Sequence, residues 1–312
     1  MKLLQQQQEN RQKNTVMVED NTAVAQAVYQ SYDPDALYAQ YNNRGMVPNF
    51  QDFADDFAQR SEVVWASGMA MKLNIVYGDR DAQQIDLFLP GTLNPPLHIF
   101  IHGGYWQWND RRPYAFVAEQ LVPAGAAVAT VGYPLCPSVG FRELCDSVRT
   151  AIAYLWRHAV DYGYDRDRIH ISGHSAGGHL TALMAATNWP LVDGDLPINL
   201  IKSAIPISGV FDLEPILYTP IGDPLGLDAG VTRTLSPLFL PASVAGPITI
   251  TVGGDESAEF HRQADTYRDH LRSEGIDADV LDIAAKHHFS VVAELAVPRS
   301  PLLKQALKLM DL

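Results

Sequence analysis

The chain has 312 residues, 47% of them hydrophobic, and carries 23 Lys plus Arg against 36 Asp plus Glu, a net charge of −13. That length can bury one large core, and the acidic balance argues against nucleic acid or an anionic membrane as partner. Its only cysteines, Cys136 and Cys145, are too few for a disulfide framework and lack metal-site spacing, so both are expected as free thiols in a reducing cytoplasm.

Residues 1–30 are polar and Gln-rich and are expected to form a flexible segment, with a weak helical patch at Thr22–Tyr29. The glutamines after Met1 stand where a secretory signal needs an apolar core, and no apolar run reaches the ~18 residues of a membrane span. The remainder, 31–312, reads as a single domain. Within it, 31–67 scatters Tyr38, Tyr41, Phe50, Phe53, Phe57 and Trp65 at helical spacing, broken at Gly45 and Pro48, which predicts a helical cover. Alternating stretches at 73–77 and 84–89, joined by Gly78-Asp79-Arg80-Asp81, predict an antiparallel hairpin.

From there strands and helices alternate. The buried-type strand 97–102 ends at Gly103-Gly104, a helix is expected over 111–122, and the next strand covers 126–131. An amphipathic helix follows over 141–162, then the strand 168–172 and a helix over 176–187. Leu200–Ser208 is another apolar strand. The Pro-rich connection 210–246 is too long for an ordinary loop and predicts a short helical insertion near the site. A strand at 247–252, a helix at 259–273, a strand at 278–283 and a helix at 300–310 close the chain. The expected architecture is α/β: a mostly parallel central sheet with an antiparallel opening hairpin, helices on both faces, and ligands at the carboxyl ends of the strands.

The chemistry centres on Gly173-His174-Ser175-Ala176-Gly177, a Gly-x-Ser-x-Gly turn between a strand and a helix. Such a nucleophile elbow lifts a serine oxygen above the sheet. A serine hydroxyl is a weak nucleophile near neutral pH and needs a base, an orienting acid and oxyanion donors. Donors are expected from the backbone of Ala176 and of Gly103 and Gly104, where glycine lets the main chain approach a tetrahedral oxygen. His102, His174 and His179 read as structural. The base is expected in Lys286-His287-His288-Phe289, and the acid in Gly253-Gly254-Asp255-Glu256, where spacing leaves both pairs open. His-Glu-x-x-His is absent from the sequence, so no metal or other cofactor is expected.

Taken together, His102-Gly103-Gly104-Tyr105-Trp106-Gln107, Gly173-His174-Ser175-Ala176-Gly177, the segment 207–216, the segment 256–263 and His288-Phe289-Ser290-Val291-Val292 resemble the α/β-hydrolase superfamily. Within it they are similar to the serine-dependent kynurenine formamidase (arylformamidase) branch, which borders the hormone-sensitive-lipase-like esterases. The resemblance implies the α/β-hydrolase fold, selects His288 as base because it directly precedes a phenylalanine, and places the acid at Glu256. The lipase-like esterases would instead favour Asp255. It implies an acyl-enzyme mechanism on small acyl amides or esters, most simply an N-formyl aryl amide such as N-formylkynurenine. Tyr105, Trp106, Trp108, Tyr133, Phe211 and Phe289 are candidates to stack on an aryl leaving group. The competing readings are a broad carboxylesterase and a non-catalytic binding scaffold. The expected partner is a small-molecule ester or amide, without nucleic acid or membrane, and a homodimer is the candidate assembly.

Overall fold

The computed structural model describes residues 26–243 and 246–312. Its eight strands are β1 (Ala70–Val76), β2 (Gln84–Leu89), β3 (Pro96–Ile101), β4 (Ala127–Val131), β5 (Asp165–His174), β6 (Ile201–Ile207), β7 (Ile248–Gly253) and β8 (Ala278–Ile283). They form one sheet in the order β1-β2-β4-β3-β5-β6-β7-β8. β2 pairs antiparallel with both β1 and β4, and every later pairing is parallel. The opening hairpin starts at Ala70, three residues before the expected Leu73. Its register shifts between Lys72 and Ile75, where Asn74 takes φ 55° and gives its backbone N–H to Asp86 at 2.8 Å.

β3 and β4 are buried along their whole length, which explains why they read as unbroken apolar runs. Their side chains alternate between two cores. Ile99 and Ile101 join Leu144, Val148, Leu180 and Leu183 on one face, whereas Phe100 joins Phe57, Val64, Phe116 and Leu302 on the other. One face is covered by helices Phe141–Arg157, Ala176–Ala185 and Ala258–Ser273, and the other by Phe50–Ala66 and Pro301–Leu309.

Three expected elements differ in detail. The helix predicted over 111–122 is a 3-10 turn, Arg112–Val117, followed by Ala118–Leu121; Arg111 is drawn inward to Asp86. The helix predicted to reach Tyr162 pauses at His158, resumes as Ala159–Tyr162 and ends on Gly163 at φ 81°. Among its described residues, the connection after β6 holds four short helical turns, Glu214–Tyr218, Asp223–Leu225, Ala229–Leu235 and Pro237–Phe239. Residues 1–25, most of the expected flexible segment, lie outside the described residues. Of the predicted helical patch at Thr22–Tyr29, the described part is not helical, and Tyr29 instead bridges to Tyr32.

Helix Pro34–Tyr41 packs against the helix that follows β7, and the first turn of Phe50–Ala66 against the loop that follows β8. Tyr41 meets Phe260 at 5.7 Å between ring centroids, Phe53 meets His287 at 4.7 Å, and Phe50 meets Phe289 at 5.7 Å. Tyr41 is buried there, whereas Phe50 and Phe53 are half-buried against the loop that carries His287 and Phe289.

Candidate active site

β5 ends at His174, a helix begins at Ala176, and Ser175 between them takes φ 58°, ψ −118°. A non-glycine residue in such a conformation costs roughly 1–3 kcal/mol and persists only where its surroundings fix it. Here the Ser175 N–H donates to the Ile207 carbonyl at 2.8 Å, and the Ser175 carbonyl accepts from the His179 N–H at 3.0 Å. The close crossing of the elbow with the loop after β3 requires glycine. A Cβ on Gly103 would stand 2.6 Å from the His174 carbonyl oxygen and 3.1 Å from the Ser175 Cβ, and one on Gly177 would overlap the Ile101 carbonyl.

His288, after β8, and Glu256, after β7, meet beside this turn. The Nδ1 of His288 lies 2.7 Å from Oε2 of Glu256, with the two side chains only 4% and 1% exposed. The other carboxylate oxygen, Oε1, accepts from the Ser208 hydroxyl at 2.5 Å and from the Gly253 N–H at 2.8 Å. Three donors therefore fix the carboxylate, and a proton held on Nδ1 leaves the lone pair of Nε2 as a base. Asp255 is exposed and joins the turn through its backbone, its N–H donating to the Lys286 carbonyl at 2.9 Å.

The other histidines are used structurally. His287 turns away: its Nδ1 accepts from the N–H groups of Phe289 at 3.2 Å and Ser290 at 3.3 Å. His174 donates from Nε2 to the His288 carbonyl at 2.7 Å, and burial, then the nearby His288, holds its pKa well below the usual value. His179 donates to the Leu235 carbonyl at 2.8 Å and accepts from the Trp106 indole at 3.2 Å.

Gly104 adopts φ 118°, and a Cβ there would overlap the Trp108 carbonyl, so only glycine permits this loop. The loop is pinned through the Gly103 carbonyl, which accepts from Asn109 Nδ2 at 3.1 Å and His102 Nδ1 at 2.9 Å. Burial pushes His102 down to about 4, so it is neutral at pH 7, and its ring stacks on Tyr133 at 4.2 Å. Among the described residues the N–H groups of Gly103, Gly104 and Ala176 donate to no backbone carbonyl. Main-chain donors left free beside a serine suit a developing oxyanion.

Ser175, His288 and Gly104 line one cavity of about 60 Å³, bordered also by Tyr105, Trp108 and Phe289. The three other aromatics expected at the substrate lie in the core. Trp106 is fully buried against Phe141 and His179; Tyr133 bonds its hydroxyl to the His102 carbonyl at 2.7 Å; Phe211 stacks on Tyr267 at 4.4 Å. Each is held by a scaffold partner, and none lines the cavity that holds Ser175. The cavity also draws on Asn43, Arg44, Phe57, Asn109 and Tyr114, none of which sequence pattern singled out as site residues. Among the described residues no group of three or more His, Cys, Asp or Glu gathers to hold a metal ion, and no helix is long and apolar enough to cross a membrane.

The BD-FAE family model matches residues 85–217. Over 296 residues the chain is 31% identical to the kynurenine formamidase of Danio rerio, covering 90% of this chain and 98% of that one. It is 32% identical over 255 residues to the kynurenine formamidase of Salmo salar, covering 78% and 84%. A crystal structure of a provisionally assigned thioesterase from Silicibacter sp. superposes with a TM-score of 0.75 at 31% identity, covering 86% of this chain and 97% of that one. The sheet order, the mainly parallel pairing and the extent of these matches lead to one assignment: the chain is a hydrolase and belongs to the kynurenine formamidase family of α/β-hydrolases.

Proposed function

We propose that the chain hydrolyses small acyl amides through an acyl-enzyme on Ser175, with an N-formyl aryl amide such as N-formylkynurenine as its substrate. The observation that carries this reading is the junction of a strained Ser175, the His288–Glu256 pair and free main-chain N–H groups at one small cavity. His288 Nε2 takes the Ser175 proton as Oγ attacks the acyl carbon, and the N–H groups of Gly103, Gly104 and Ala176 hold the oxyanion. Glu256 keeps the imidazole oriented and stabilises its charged form. The proton then passes from His288 to the departing aryl amine, and water, activated by the same nitrogen, releases formate.

Size supports a one-carbon acyl group. About 60 Å³ is far below the ~300–1,000 Å³ of pockets that enclose drug-sized ligands, so the acyl end fits inside while the aryl part meets Tyr105, Trp108 and Phe289 at the border. The likeness to a structure assigned as a thioesterase supports short-chain ester hydrolysis as the second reading. A cytoplasmic location fits the buried, unpaired Cys136 and Cys145, whose pKa values burial raises to about 11 and about 12. Homodimerisation completes the proposal, and light scattering measures it.

The deciding experiment compares kcat/KM for N-formylkynurenine and p-nitrophenyl acetate, with Ser175→Ala as control. The expected result is a larger constant on the formamide and loss of both activities in the variant. A negligible constant on the formamide with rapid ester turnover would replace the formamidase reading by the esterase one.

A further inference from the structure

One wall of the cavity takes no part in the proton relay. It comes from Asn43 and Arg44, in the helix Asn43–Met46. The Tyr105 hydroxyl gives its single proton to the Tyr41 carbonyl, so toward Asn43 it accepts, from Nδ2 at 2.9 Å. That bond fixes which end of the Asn43 amide is nitrogen. Its oxygen, Oδ1, is left buried without a donor among the described residues, on a side chain whose residue is only 1% exposed. An orphaned acceptor of this kind is costly unless a ligand supplies the missing N–H or O–H.

Arg44 is unfinished in the complementary sense. Its guanidinium stands 4.6 Å from the centroid of Trp108 and 5.1 Å from that of Phe50. Among the described residues it forms no ion pair, although carboxylates outnumber Lys plus Arg by 36 to 23 in the chain. Aromatic faces hold a guanidinium by its flat side and leave its edge of N–H groups free. The same aromatic chain continues inward, from Phe50 to Phe289 at 5.7 Å and from Phe289 to His288 at 5.5 Å. The guanidinium therefore packs on Trp108, which borders the reacting centre, and lines the same cavity with its fork free.

We infer that Asn43 and Arg44 are the specificity element for the tail of the leaving group. The guanidinium takes a carboxylate, and Oδ1 takes an N–H, ammonium included. This rests on the acyl-transfer reading of the same site. It also gives the carboxylate of that tail a local partner in a chain with a net charge of −13, because one uncompensated cation at the mouth offsets the general field there.

The test uses two substrate pairs that differ only in a carboxylate. One is N-formylkynurenine and its decarboxylated counterpart; the other is the acetyl esters of 4-hydroxyphenylacetate and 4-methylphenol. Arg44 is exposed, so its replacement leaves the fold in place. Arg44→Gln should lower the ratio of kcat/KM, carboxylated over uncarboxylated, by about tenfold in each pair that is turned over, the loss falling on KM, with partial recovery in Arg44→Lys. Asn43→Ala should lower the preference for N-formylkynurenine over its deaminated analogue by a smaller factor. An unchanged ratio in Arg44→Gln, or equal loss on both members of a pair, overturns the inference. Hydrolysis of the esters alone would end the formamidase reading while the ester pair still decides the role of Arg44, and turnover of neither pair overturns both.

Discussion

Two buried acid–base pairs occupy opposite ends of the sheet order, and by distance and burial they are nearly the same. Asp86 and Arg111 approach to 2.7 Å with side chains 0% and 4% exposed; Glu256 and His288 approach to 2.7 Å with side chains 1% and 4% exposed. Their surroundings separate them. Asp86 also takes the Asn74 N–H at 2.8 Å, and Arg111 reaches Asn74 Oδ1 at 2.6 Å and Gln84 Oε1 at 2.9 Å. That cluster ties an irregular edge strand to the loop after β3, and a guanidinium keeps its charge at every physiological pH. The imidazole of His288 instead has a second nitrogen, and it shares a cavity with a strained serine. Burial and pairing are common to scaffold and site. What marks the site is chemistry left unfinished: a base lone pair, free N–H groups and a serine held out of an ordinary conformation.

The largest effect should follow from breaking the second pair without changing its shape. Glu256→Gln is expected to lower kcat/KM by about 10³–10⁴-fold, because the amide no longer fixes the Nδ1–H tautomer or stabilises the imidazolium. Asp255→Asn, one residue away and exposed, should stay within about threefold. Steady-state kinetics on both variants check the ranking, and the reverse order would move the acid to Asp255.

Breaking the first pair should act on stability. Arg111→Met strands the Asp86 carboxylate in the core at a cost of about 3–5 kcal/mol, while activity per folded molecule changes little. Urea unfolding alongside active-site titration separates the two quantities. A large kinetic loss with normal stability would show that the pair serves the site after all.

A distributed effect, absent at pH 7 and growing only on acidification, comes from neutral histidines in the core. Burial holds His98 at about 3 and His102, His170 and His179 at about 4. The unfolded chain binds their protons near pH 6.5, so their contribution to stability is complete above that pH and is lost as pH falls toward about 4. Each contributes up to about 1.4 kcal/mol per pH unit in that window. Urea midpoints at pH 7, 5.5 and 4.5 should fall in that order, and a flat series would contradict the neutral, buried state of these rings.

Local pattern carried most of the fold. Strands β3 and β4 are legible because both faces are buried, and the elbow because Gly173 and Gly177 permit backbone contacts that any side chain would block. Tertiary pairing was not legible. Ser208, which donates to Glu256 from just past β6, reads only as the polar end of a strand, and Asn43 and Arg44 reach the cavity only because a helical cover folds onto the loop after β8. The aromatics show the same limit: Trp106 lies between Tyr105 and Gln107 in the loop after β3, yet its indole points to His179 and the core. Composition distinguishes an aromatic from a polar residue but says nothing of which face it presents.

The central claim is that Ser175 accepts the acyl group. Incubation with a fluorophosphonate, followed by intact-mass measurement and peptide mapping, tests it directly. One adduct is expected, on Ser175, formed in step with loss of hydrolysis and absent from Ser175→Ala. An adduct on another residue, or full hydrolysis by Ser175→Ala, would contradict it.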